Sequence, residues 1–148
     1  MRDTFHIFPD ITVTGTSATC VPADSADFLP FGAITATGYI SVNAGKFSGH
    51  HTGQADSGLR MVYQPQANVA SGNIFTLVIQ DSADNSGFAA ALSGAVTTLG
   101  AILAAGTLLY MPMPFVHRRY LRPAVVTGAT YAGSATWKTW LEFGGKVV

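Results

Sequence analysis

Charge is scarce in this sequence. Eight basic and eight acidic side chains among 148 residues amount to 11% and cancel to zero, where ordinary soluble domains carry about 25%. Without a broad positive field, nothing draws phosphate backbones or anionic headgroups, so neither nucleic acid nor a membrane is an expected partner. Charge also keeps protein surfaces apart, and a surface this poor in it is expected to be covered by partners. Cysteine is nearly absent too. The single Cys20 excludes an internal disulfide, and between Thr19 and Val21 it reads as a small hydrophobe in a strand rather than a catalytic thiol, which needs a base beside it. Arg2, Asp3 and His6 interrupt the opening residues before an apolar region of signal length develops, so no secretory leader is expected. No amphipathic helical period of useful length occurs. Nor is there a GxSxG elbow, a phosphate-binding loop, a paired-cysteine motif or a glycine-rich dinucleotide fingerprint. The expectation is a protein that is not an enzyme and holds no cofactor.

Apolar residues, by contrast, make up 48%, with sixteen glycines and nine phenylalanines. A chain this long can bury about 70% of the surface it exposes when unfolded, enough for one core in a single domain over 1–148. The stretch from Asn73 to Gly87 sets the pattern. Phe75, Leu77 and Ile79 alternate with Thr76, Val78 and Gln80, and a period of two in aromatic and β-branched residues predicts a half-buried strand. Asp81, Ser82, Asp84, Asn85, Ser86 and Gly87 then favour a turn.

The rest of the chain repeats this order. Phe5 with Ile7 and Ile11 with Val13 predict two edge-type strands, or one strand bent at Pro9. A Thr-rich extended piece follows to Thr19, then a connector from Pro22 to Pro30. Further strands are predicted over Ile34–Val42, Leu59–Gln64, Thr107–Met113, Arg118–Gly128 and from Ala135 to Phe143, with a turn at Phe115–His117. In the last strand Trp137, Thr139 and Leu141 face the core, while Lys138, Trp140 and Glu142 face outward. Asn85 to Val116 contains no charged residue and resembles a membrane span in hydropathy. Gly94, Gly100 and Gly106 recur through it, with Pro112 and Pro114 at its end and no basic cluster on its near side, so the reading is buried β-structure in short pieces. About eight strands, near Phe5, Ile11, Ile34, Leu59, Ile74, Thr107, Tyr120 and Thr136, predict an all-β, antiparallel two-sheet sandwich of jelly-roll type.

Candidate functional residues are few. Asp24 and Asp27 stand three apart, a spacing open to acid–base chemistry, but beside serine and proline they read as turn and cap ligands. The segment 43–58 holds glycines, His50 and His51 but almost nothing to fill a core, and reads as a long solvated or partner-contacting loop. Adjacent histidines in extended chain point to opposite faces, and no metal spacing accompanies them. Arg118, Arg119 and Arg122 lack the glycine-rich frame of a phosphate site and read as interface or loop-tying residues. Trp140, on the outer face, is a candidate contact anchor. His117 with Asp84 and a serine is the best material for a catalytic triad, and no local signature supports it.

Four runs carry a resemblance: Phe-Thr-Leu-Val-Ile-Gln-Asp-Ser-Ala-Asp-Asn-Ser (75–86), Leu-Tyr-Met-Pro-Met-Pro (109–114), Arg-Arg-Tyr-Leu-Arg (118–122) and Ala-Gly-Ser-Ala-Thr-Trp-Lys-Thr-Trp-Leu (132–141). Together they resemble the jelly-roll capsid cement, or decoration, proteins of tailed bacteriophages, of the type known from a Bordetella phage. The likeness covers the second half of the chain. In the first half only the Thr-rich opening agrees, and the 43–58 loop departs from the pattern. The resemblance implies a homo-oligomer, dimer or trimer, that binds the phage major capsid protein on the outer capsid surface of the virion and bridges capsomers. It implies no catalytic residues. A carbohydrate-binding sandwich for host attachment is the alternative, with Trp140 or Tyr131 as exposed aromatics to stack on sugar rings.

Overall fold

The structure, a computed structural model, describes residues 3–27, 39–41, 59–114 and 116–143. Among them are thirteen strands and no helix: β1 (Asp3–Ile7), β2 (Ile11–Thr14), β3 (Thr19–Cys20), β4 (Ala26–Asp27), β5 (Tyr39–Ser41), β6 (Leu59–Pro65), β7 (Ile74–Ser82), β8 (Ala89–Ser93), β9 (Thr97–Thr98), β10 (Leu109–Pro112), β11 (Val116–Arg118), β12 (Tyr120–Thr127) and β13 (Ser134–Phe143). Prolines explain several of the breaks, because a residue without an N–H cannot donate to a ladder. Pro9 separates β1 from β2, which lie end to end along one edge of β13. Of the two expected alternatives, two edge strands broken at the proline are realised. Pro123 falls where β12 has a gap on one side, between the stretch paired with β3 and the stretch paired with β4. Pro112 sits in β10, an edge strand.

Strand pairing sorts the chain into a five-stranded sheet, a six-stranded sheet and a short β11–β5 ribbon. Counting β1/β2, β3/β4 and β8/β9 as one interrupted arm each leaves eight arms in the two large sheets, beside the β11–β5 ribbon. In chain order the first sheet runs 1-8-3-6 and the second 2-7-4-5, all antiparallel, which is the strand order of a jelly roll. The expected fold class is found, with a different roll of strands. The Cys20 arm lies where a Thr-rich piece and a connector were expected, and β8 and β9 are two of the short β pieces expected in the run after the central strand. His117, expected in a turn, lies in β11. Of the strand expected at Ile34–Val42, only 39–41 fall among the described residues.

One core lies between the two sheets. Leu59, Met61, Tyr63, Trp137 and Leu141 from one sheet meet Phe75, Ile79, Leu121 and Val125 from the other, each fully buried large side chain stabilising by roughly 1.5–3 kcal/mol. The Phe75 and Trp137 rings pack edge to face across the gap, with centroids 5.5 Å apart and planes at 75°, the geometry that ring quadrupoles favour. The buried Tyr63 hydroxyl crosses between the sheets and donates to the Val78 carbonyl at 2.6 Å. Burial holds that phenol far above its ordinary pKa, so it remains a donor. At Gly128 the backbone N–H donates to the Ile74 carbonyl at 2.7 Å. A Cβ there would lie 2.8 Å from Ile74 Cβ, so only glycine permits the approach.

Candidate contact surfaces

Period two places the outer-face residues of β13. Trp137, Thr139 and Leu141 are buried inward, which turns Lys138, Trp140 and Glu142 to the other side. There β6 brings Gln64, Val62 and Arg60 into register with them, and β10 adds Tyr110 beside Val62. Trp140 is half-buried, and its Nε1 donates to Glu142 Oε1 at 3.3 Å. Arg60 Nη2 lies 3.7 Å from Glu142 Oε2, and the same guanidinium stacks 3.9 Å from the centre of the Tyr110 ring. Trp140 is thus on the outer face, as the alternation predicts. Glu142 is buried there, which the alternation does not reveal, because both a solvated and an ion-paired carboxylate satisfy a period of two.

The arginines after β10 separate into three roles. Arg118 ties a loop. Its Nε donates to Asp81 Oδ1 at 2.8 Å, its backbone N–H to Asp81 Oδ2 at 2.8 Å and its Nη2 to the Asp81 carbonyl at 2.7 Å. Asp81 therefore belongs to β7 and not to the turn expected there, since a buried carboxylate with this many donors is stable in the ladder. The turn begins after Ser82, where Asp84 Oδ1 accepts the N–H groups of Ser86 and Gly87. Arg119 grips Asp27 bidentately at 2.9 and 2.8 Å on an exposed rim, so Asp27 is a strand residue in an ion pair rather than a cap. Asp24 accepts the Ser25 N–H at 2.8 Å, as a turn ligand does. Arg122 stands apart. Its Nε donates to Gln80 Oε1 at 2.8 Å, its guanidinium stacks 3.8 Å from the centre of the Phe88 ring, and it lines a cavity of about 100 Å³.

The triad material does not assemble. His117 is buried, its Nδ1 donating to the Arg118 carbonyl at 2.6 Å, while the Asp84 carboxylate accepts from Ser82, Ser86 and Gly87. Burial pushes the His117 imidazole below its ordinary pKa. Cys20 is buried in β3, its thiol 3.5 Å from the Thr14 carbonyl. Tyr131, expected to be exposed, is buried in the core cluster and presents no ring to a sugar. His50, His51 and the 43–58 loop lie outside the described residues. Among the described residues no group of three or more His, Cys, Asp or Glu side chains gathers to hold a metal ion.

The charge-free run forms β-structure, and no helix among the described residues is long and apolar enough to cross a membrane. Only the end of the run is buried, at Met111 and Met113. β8 and β9 are largely exposed, Val96 and Ile102 are 69% and 64% exposed, and a bulge at Ala91 interrupts pairing with β7. Alanine, glycine and threonine read as apolar in a hydropathy window, yet they bury little area each and are tolerated at an edge. The other three edge arms carry charge or proline: Pro9 and Asp10 beside β1 and β2, Pro22, Asp24 and Asp27 along β3 and β4, and Pro112 in β10. Such residues protect an edge against pairing. Among the described edges of the two large sheets, only β8/β9 has neither. Set against known families and curated proteins, the chain matches no family model and no curated sequence.

Proposed function

We propose that this chain is a structural virion protein, a cement protein that binds the outer surface of a phage capsid as a homo-oligomer and bridges capsomers. The observation that carries the reading is the uncharged, exposed β8/β9 edge with Val96 and Ile102 beside it, a surface fit to be covered by protein. The resemblance of the 75–86, 109–114, 118–122 and 132–141 runs to capsid cement proteins supplies the partner, the major capsid protein. Because the Ala91 bulge breaks the ladder, contact is made by side chains and short backbone runs. Weak contacts repeated around a symmetric shell add to strong attachment without any single tight site. The test is to mix the purified protein with shells that lack it, pellet them, and score bound copies and the temperature at which shells burst. Stoichiometric binding with a raised bursting temperature supports cement. A protein left soluble and monomeric overturns it in favour of the glycan-binding alternative.

A further inference from the structure

Four arginines fall among the described residues, and three have a carboxylate: Arg60 with Glu142, Arg118 with Asp81 and Arg119 with Asp27. Arg122 has none. Its guanidinium is half-buried, laid on the Phe88 ring and oriented by Gln80, which accepts from Nε. Burial pushes its pKa below the ordinary value, with no anion to offset the loss of hydration. Two turns that line the cavity touch, the Ser25 hydroxyl donating to Asn85 Oδ1. Asn85 holds a left-handed backbone, φ 62°, in doing so.

We propose that this cavity is a socket for one carboxylate, filled by an acidic side chain of a partner protein. A guanidinium whose Nε is committed and whose face is stacked still offers two terminal nitrogens, and a planar carboxylate matches that fork. Stacked arginines in small desolvated pockets are the residues on which protein interfaces concentrate their binding energy. The volume, about 100 Å³, lies well below the roughly 300–1,000 Å³ of small-molecule sites, which favours a single side chain over a sugar or nucleotide. Asp24 on the cavity wall repels a multiply charged anion more than a singly charged one, which disfavours phosphate. The choice of a protein occupant rests on the cement reading. The affinity for carboxylate does not.

The experiment uses the isolated, isotope-labelled protein without shells, so its outcome is independent of whether shells bind. N-acetylglutamate N-methylamide, glucuronate and phosphate are titrated separately against sodium chloride at matched ionic strength, following the Arg122 Nε–H, Gln80 side-chain and Phe88 ring signals. Saturable shifts with the glutamate mimic, at a Kd on the order of 1 mM, and none with chloride, are expected. Arg122→Gln should weaken binding about tenfold or more, and Arg122→Lys should lose several-fold because it keeps the charge without the fork, each with a folded spectrum. Non-saturable shifts, an equal response to chloride, or unchanged binding in a folded Arg122→Gln overturns the site. Glucuronate or phosphate binding about tenfold tighter than the glutamate mimic overturns its assignment to a protein side chain.

Discussion

Arg118 distinguishes a structural arginine from a surface one. Its partner Asp81 has a side chain only 3% exposed, and Arg118 itself is 22% exposed. Arg118→Gln removes the Nε bond and both Nη2 contacts and leaves only the backbone N–H on Asp81 Oδ2. Breaking a buried pair by removing one partner costs about 3–5 kcal/mol. The surviving backbone bond and the partial exposure of the guanidinium lower this to about 2–4 kcal/mol. At about 2–4 °C per kcal/mol for a domain of this size, the melting temperature should fall by roughly 4–16 °C. Arg119→Gln is the internal control. Its bidentate pair with Asp27 is just as short but solvated, with side chains 33% and 43% exposed, so its melting temperature should not move measurably. Urea titration and thermal melts of both variants decide the matter. Equal losses in the two, or less than about 1 kcal/mol for Arg118→Gln, would refute the claim that burial rather than bond length sets the worth of these pairs.

Other outcomes follow from single contacts. Gly128→Ala forces a methyl against Ile74 Cβ at 2.8 Å and should cost about 1–3 kcal/mol in chemical denaturation; a neutral result would mean that β7 and the turn after β12 slide apart freely. His117, buried and held below its ordinary pKa, takes up a proton in the unfolded chain before it does so in the fold. Its contribution is therefore complete above about pH 6.5 and is lost as pH falls from there toward the depressed folded value. A His117→Asn variant should show a shallower decline in melting temperature between pH 7.5 and pH 5, and a parallel decline would remove His117 as the cause. Trp140→Ala should weaken self-association or shell binding more than it lowers monomer stability, since the ring is half-buried on an outer face. Loss of stability with association unchanged would make Trp140 a packing residue only.

The all-β fold was legible because its signal is local. A strand declares itself by the alternation of Phe75, Leu77 and Ile79 or of Trp137, Thr139 and Leu141, and turns declare themselves by glycine, asparagine and aspartate, all within a few consecutive residues. Phe75, Ile79, Trp137 and Leu141 are accordingly in the core. The arms centred on Cys20 and Ala91 were legible only as short extended pieces without bounds, because two-residue ladders such as β3, β4 and β9 carry no period at all. The burial of Glu142 and of Asp81 was not legible for a different reason. Their burial depends on Arg60 and Arg118, which lie 82 and 37 positions away, and a sequence pattern does not register a partner at that distance.

The sequence by itself determined the class of structure and the poverty of charge that makes contact with other proteins the plausible role. Both are properties of composition and near neighbours. Only the tertiary structure decided which charges are occupied. It joined Arg118 to Asp81 and Arg119 to Asp27, laid Arg122 on Phe88 outside the ion pairs of the described residues, and brought the charge-free run to the one described edge of the two large sheets without charge or proline. The physical reason is that strand pairing in a jelly roll joins segments far apart along the chain. Which side chains meet is thus set by sheet order and register rather than by spacing.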